Sequence, residues 1–411
     1  MRDVTTVATG ILAAQAIVLV FSPFLTRIFG PEAFGILAAF TAVTTIMNAI
    51  VTLGYATAIV LPSDDQDAIS IARLSLVCAL GLTPLTLFVV WMFQLPLSIW
   101  ANLQDAPGVL YMLPLVVLLN ALLNVAEQAA IRESFFKASA ISKLIATFVT
   151  NSCKLAAGLV FPTAPVLIGV TVAGIAVNYA MLLYRAPREG SFQVRQWFKT
   201  GGVSAVAREY MDFPLYRMPQ SLINALALGL PVLILTAQFG AVVAGQYALT
   251  TLALGAPVML LSKSVLDVFY PRISREIIHD RRNASILLMR ATKVSALLAL
   301  VVFVPVGLTS QYIFPFVFGD EWVLAGLFAK WVCIWMASTV ASRPAVASIP
   351  GLGLQKQLLT FEVVITFARG LSLFIGAIYW DPLTAVAAFS IMNAIGYTYL
   401  IYLAYCRMKI K

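Results

Sequence analysis

Thr26-Arg27-Ile28-Phe29-Gly30-Pro31-Glu32-Ala33-Phe34-Gly35 is a short polar stretch between two apolar runs, residues 4–29 and 35–61. Each run exceeds the roughly 18 residues that carry an α-helix across a bilayer. The stretch is therefore the turn between two spans. Its spacing, Phe29, Gly30, Gly35, Ala38, returns downstream as Phe239, Gly240, Gly245, Ala248, again between two apolar runs. A spacing repeated at the same place in the pattern predicts a chain built as two like halves.

Composition agrees with spans. The 411 residues are 61% hydrophobic and 11% charged, against about 25% charged in an ordinary soluble domain. Such a chain lacks the polar surface to cover itself in water. Segments of about ten alternating residues, the mark of a transmembrane barrel, do not dominate, so the spanning elements are helices. The net charge of +9 is scattered over short loops with no dense basic domain. It speaks for membrane topology and against nucleic acid as a partner.

Continuing outward gives about twelve spans, near residues 4–29, 35–61, 69–93, 107–131, 139–161, 165–184, 213–238, 243–269, 285–312, 322–349, 354–379 and 383–406. They form an N-terminal six-helix lobe (1–184), a polar cytoplasmic linker (185–212) and a C-terminal six-helix lobe (213–411). With the N-terminus inside, most of the 27 Lys and Arg fall on inner segments, among them Arg73, Arg132, Lys137, Lys143, Arg188, Arg195, Lys199, Arg281 and Lys356. Outer segments such as 94–106, 161–165 and 239–244 carry no cation. The positive-inside bias thus places both termini in the cytoplasm. Six helices per half make the repeats parallel, related by an axis along the membrane normal. Leu61-Pro62 and Tyr270-Pro271 each end the second helix of a half on this reading. Pro23, Pro84 and Pro305 are expected kinks, and Trp91, Trp100, Trp322 and Trp380 are expected interface anchors.

An ionisable group inside the bilayer is expensive, so each is a functional candidate. Lys154 and Arg369 both stand deep in the fifth helix of their half, and Lys330 lies well below the outer end of the tenth span. With Arg27 at the repeated turn, these cations make a candidate cavity for a negative ligand. Glu127, Glu362 and Asp267 are candidates for ion coupling or for structural pairing. Lys263 and Asp267 stand i,i+4 and can satisfy each other. Glu362 shares a helical face with Arg369.

Other chemistry is thin. Asp64-Asp65-Gln66-Asp67 resembles a metal-binding acidic pair, but at the start of the third span it suits a helix N-terminus better. His279 is the lone histidine, and Cys78, Cys153, Cys333 and Cys406 show no paired spacing. Metal sites, disulfides and histidine-based catalysis are therefore not expected. A phosphate-binding Gly-x4-Gly-Lys-Ser/Thr loop is missing, so the chain does not hydrolyse ATP.

Several segments resemble a known family. Ser22-Pro23-Phe24-Leu25-Thr26-Arg27 leading into Gly30–Gly35, Ala58 to Ala68 with its Leu61-Pro62-Ser63-Asp64, Tyr270-Pro271-Arg272, and Phe318-Gly319-Asp320-Glu321-Trp322 with Ala325-Gly326 are similar to segments of the lipid-linked oligosaccharide flippases. That group is the Wzx-like polysaccharide branch of the MOP, or MATE-like, exporter superfamily. The resemblance implies an all-α bundle of two six-helix lobes in a V around a cationic cavity. It implies a carrier rather than an enzyme, moving undecaprenyl-pyrophosphate-linked oligosaccharide across the bacterial inner membrane by alternating access. It further implies no cofactor, an H+ or Na+ gradient as a candidate energy source, and a polysaccharide polymerase with its chain-length machinery as candidate partners. A cation-coupled drug exporter of the same fold stays open, although the first span has no Asp or Glu to bind organic cations. So does a membrane polymerase or ligase, for which the outer loops are short.

Overall fold

In the computed structural model, residues 2–101, 103–104, 106–186 and 203–409 are described. The middle of the expected linker, with Arg188, Arg195 and Lys199, lies outside the described residues. The elements are all helical among them: α1 (Arg2–Ile50), α2 (Asp65–Met92), α3 (Gln94–Trp100), α4 (Met112–Arg132), α5 (Phe136–Gly158), α6 (Ala164–Arg185) and α7 (Val203–Glu209). They continue with α8 (Met218–His279), α9 (Arg281–Phe318), α10 (Val323–Ala341), α11 (Arg343–Ser348), α12 (Gln355–Tyr379) and α13 (Pro382–Lys409).

Helices α1 and α8 are each two spans joined at one residue. Gly30 turns the chain at φ 68°, ψ 173° and Gly240 at φ 83°, ψ 175°, a region of backbone space essentially restricted to glycine. The expected ten-residue turn thus contracts to a single glycine, because Pro31 presets φ for the first position of the next helix. Nine helices among the described residues are long and apolar enough to span. Counting the two kinked ones twice gives eleven, and α5, with 23 residues, makes twelve. Helix α5 is too polar to stand out by hydropathy, carrying Lys143, Thr147, Thr150, Asn151 and Lys154. Small residues seat it instead. A side chain at Gly10 of α1 would strike Ala140, and one at Gly174 of α6 would strike Thr150. Close backbone approach of this kind is how helices associate in lipid.

Two compact units divide the chain, residues 1–241 and 242–411. In the first, Leu25, Phe29, Ile36 and Phe40 of α1 pack with Leu113 and Val116 of α4 and Leu167 and Ile168 of α6. A second cluster joins Tyr55, Ile59, Ile71 and Val125 to Val206 of α7. In the second unit, Ile273, Leu288, Ala345 and Ala404 form one cluster, while Phe303, Phe328 and Phe389 are fully buried.

Two expectations are corrected. Tyr270-Pro271 does not end its helix: α8 runs on to His279, because Ile273 and Ile277 beyond the proline are buried in the core cluster. Trp322 is no interface anchor. It is 1% exposed, whereas Trp91 and Trp380 are exposed.

Candidate functional site

The second unit holds the best-built cation. Arg369 stands midway along α12, where an unpaired charge is costly, and α13 supplies its partner. Its Nη1 donates to Asn393 Oδ1 at 3.1 Å and its Nη2 to Thr366 Oγ1 at 3.0 Å. Asn393 is 1% exposed and spends its own amide on the Phe389 carbonyl at 2.9 Å. Its oxygen is therefore fixed toward the guanidinium. The Tyr397 hydroxyl lies within hydrogen-bonding reach, and the buried Tyr247 is close enough to act electrostatically. Arg369 Nε is buried with no hydrogen-bond partner. A guanidinium oriented by the neutral Asn393 and Thr366, with no ion pair of its own among the described residues, keeps a positive charge suited to an anionic ligand.

Glu362 stands near Arg369 but not in hydrogen-bonding contact with it. It is exposed and makes no ion pair with Arg369, although the two are close enough to act on each other electrostatically. Seven residues are two helical turns, a rise of about 10 Å, and Asn393 and Thr366 are nearer. Lys330 on α10 is exposed and half a helix deep, and it has no hydrogen bond or ion pair among the described residues. Nor does an ion pair join Lys263 to Asp267, which is exposed.

In the first unit Lys154 is half-buried in α5 and likewise lacks a hydrogen bond or ion pair among the described residues. Glu127 is half-buried in α4, with Lys143 as the nearby cation acting on it. Arg27 is exposed at the end of the first span, two residues before the buried Phe29.

Polar residues that sequence reasoning missed carry the family-like segments. Arg132, at the end of α4, donates to Asp65 at 2.8 Å and to the carbonyls of Ile59 at 3.2 Å and Pro62 at 2.6 Å. It ties down the Leu61-Pro62-Ser63-Asp64 loop. Asp64 caps α2 by accepting from the Gln66 amide, the helix-end role expected for this acidic run. In the second unit Gln246 donates to the Glu321 carbonyl and accepts from the Ala325 amide at 2.9 Å. Thr250 donates to the Ala325 carbonyl at 2.9 Å, and any side chain at Gly326 would strike the Ser310 carbonyl. Gly319, at φ 115°, starts this turn. The segment Phe318 to Gly326 is thus a packing device. Arg343, also missed, donates to Ser262 at 3.1 Å. A signal existed for Asn393: a lone amide in an apolar run needs a partner as much as a charge does.

Known proteins place this arrangement. A curated relative, the succinoglycan biosynthesis transport protein ExoT of Rhizobium meliloti (strain 1021), is 23% identical over 398 residues, 93% of this chain and 76% of its own length. An inward-facing multidrug resistance MATE family transporter of the MOP superfamily superposes with TM-score 0.73 at 14% identity, covering 96% of this chain and 94% of its own. The lipid II flippase MurJ, inward closed, gives TM-score 0.68 at 12% identity over 97% and 87%. The fold is therefore an all-α, multi-pass membrane fold of the MOP type. The model of a family described as polysaccharide biosynthesis protein matches residues 24–327, most of the chain, and this chain belongs to that family.

Proposed function

We propose that the protein is a flippase that moves a lipid-linked oligosaccharide, joined to its polyprenyl carrier through pyrophosphate, from the cytoplasmic to the outer face of a bacterial inner membrane. The observation that carries the proposal is Arg369, a guanidinium inside a span that is oriented by the neutral side chains of Asn393 and Thr366. A pyrophosphate is bound best by fixed cations, and membership of a polysaccharide biosynthesis family supports a glycan-bearing cargo. Lys330, Lys154 and Arg27 complete the cationic set in this reading, with Glu127, Glu362 and Asp267 as sites for coupling to an H+ or Na+ gradient.

Both termini face the cytoplasm, the halves 1–184 and 213–411 alternate access around the linker 185–212, and no covalent step is performed on the glycan. A polymerase with its chain-length machinery would receive the product. The test is R369A in a strain lacking the chromosomal copy. Surface polysaccharide should fall to the level of the deletion, with lipid-linked intermediate accumulating inside and the protein present in the membrane at its normal amount. Normal polysaccharide output in that strain would overturn the assignment of Arg369. A change in mass of lipid-linked glycan incubated with the purified protein would overturn the carrier reading.

A further inference from the structure

In the first unit, the start of α5 and the last turn of α6 line an open cavity of about 590 Å³. Lys137, Arg185 and Ser134 supply its polar lining, and Phe135, Ala138, Ile141 and Tyr184 its largely apolar wall. Lys137 and Arg185 are exposed and make no hydrogen bond or ion pair among the described residues. Arg132, nearby in sequence, is already engaged by Asp65 and two carbonyls. The nearest carboxylate in sequence, Glu133, is not part of the lining. Two uncompensated cations therefore converge on one opening.

Position narrows the ligand. The cavity lies where two spans leave the bilayer, on the side that the distribution of Lys and Arg assigns to the cytoplasm. Its wall of Phe135, Ile141 and Tyr184 suits an acyl chain below and a headgroup above, while the two cations suit a phosphate diester. We propose that this cavity binds the phosphate of an anionic phospholipid of the inner leaflet. The site is separate from Arg369 and does not depend on what the protein transports. Headgroup phosphate and free inorganic phosphate share the chemistry that Lys137 and Arg185 recognise, so the test must separate them.

The full-length protein, delipidated and returned to nanodiscs of phosphatidylcholine containing phosphatidylglycerol, is released into native mass spectrometry. The wild type should keep one phosphatidylglycerol and no phosphatidylcholine. K137A/R185A should bind phosphatidylglycerol about thirtyfold more weakly, and K137R/R185K should restore it, showing that charge rather than folding is at stake. Equal retention by wild type and K137A/R185A, or equal retention of the zwitterionic lipid, would refute the site. Displacement of the lipid by millimolar inorganic phosphate would assign the cavity to a free anion and overturn the lipid proposal.

Discussion

Gly30 and Gly240 turn the chain with nearly the same dihedrals, φ 68°, ψ 173° and φ 83°, ψ 175°. The internal repeat read from Phe29-Gly30 and Phe239-Gly240 is thus a repeat of backbone geometry, not only of letters. Each glycine joins two spans with no loop between them. Within the first unit a side chain at Gly35, in the helix that follows Gly30, would collide with the Ala241 carbonyl.

Substitution at these glycines should be costly. G30A and G240A place a Cβ in a conformation it disfavours, for about 1–3 kcal/mol each, and G35A adds a clash with backbone. Thermal unfolding of the purified protein should show both kink variants below wild type. A control such as G81A, where a Cβ meets nothing, should be unchanged or slightly more stable.

The Asn393 amide is the hold on Arg369 that sequence did not reveal. N393A removes a hydrogen bond to a charged group, a contribution of about 1.5–3 kcal/mol, and should cut transport at least tenfold. N393D keeps an acceptor but adds a competing charge, so it should bind the guanidinium and exclude an anionic ligand. Flux of fluorescent lipid-linked oligosaccharide into proteoliposomes measures both.

At the Arg132 tie the two partners are unequal. Arg132 is 12% exposed and serves two carbonyls besides Asp65, which is 52% exposed. R132A should therefore destabilise by about 1–3 kcal/mol through the carbonyls it orphans, and D65A by about 1 kcal/mol or less. A larger loss from D65A in chemical or thermal unfolding would reverse this ranking.

Asp381 begins α13 outside the spans. It accepts from the Thr384 hydroxyl and from the amides of Leu383 and Thr384. Those bonds, the hydroxyl first, hold its carboxyl below the usual range. Its contribution is complete above the unfolded carboxylate pKa near 3.9 and fades as pH falls through the folded value. D381A should cost about 1 kcal/mol at neutral pH and less in acid, while D381N should lose only the pH dependence. Melting curves at pH 7 and pH 3.5 separate these outcomes.

The spans, the two turns and the cap at Asp64 were legible because each depends on neighbours in sequence: apolar length, glycine placement, a side chain reaching its own helix. The failures share another cause. Trp322 looked like an anchor because it sits at an outer end, and only packing decides that it is buried. Tyr270-Pro271 looked like a stop because the buried Ile273 and Ile277 beyond it belong to a cluster assembled from distant segments. Arg369 was singled out by its depth, but its contact with Asn393 depends on how α12 and α13 are rotated against each other. Single residues do not encode that rotation. Arg132 was set aside as an inner-loop cation, although its carbonyl partners lie on a different segment.

Helix α12 packs on α13, and only 6% of its span is buried, against 22–50% for the other candidate spans. Its 25 residues rise about 38 Å, more than the roughly 30 Å of hydrocarbon in an ordinary bilayer. A helix of that length can meet a thinner bilayer by tilting, and any tilt of α12 against α13 would move Arg369 relative to Asn393. Acyl-chain length thereby becomes a control on the protein: thin membranes would strain the Arg369–Asn393 contact, and thicker ones would let the helix stand upright around it.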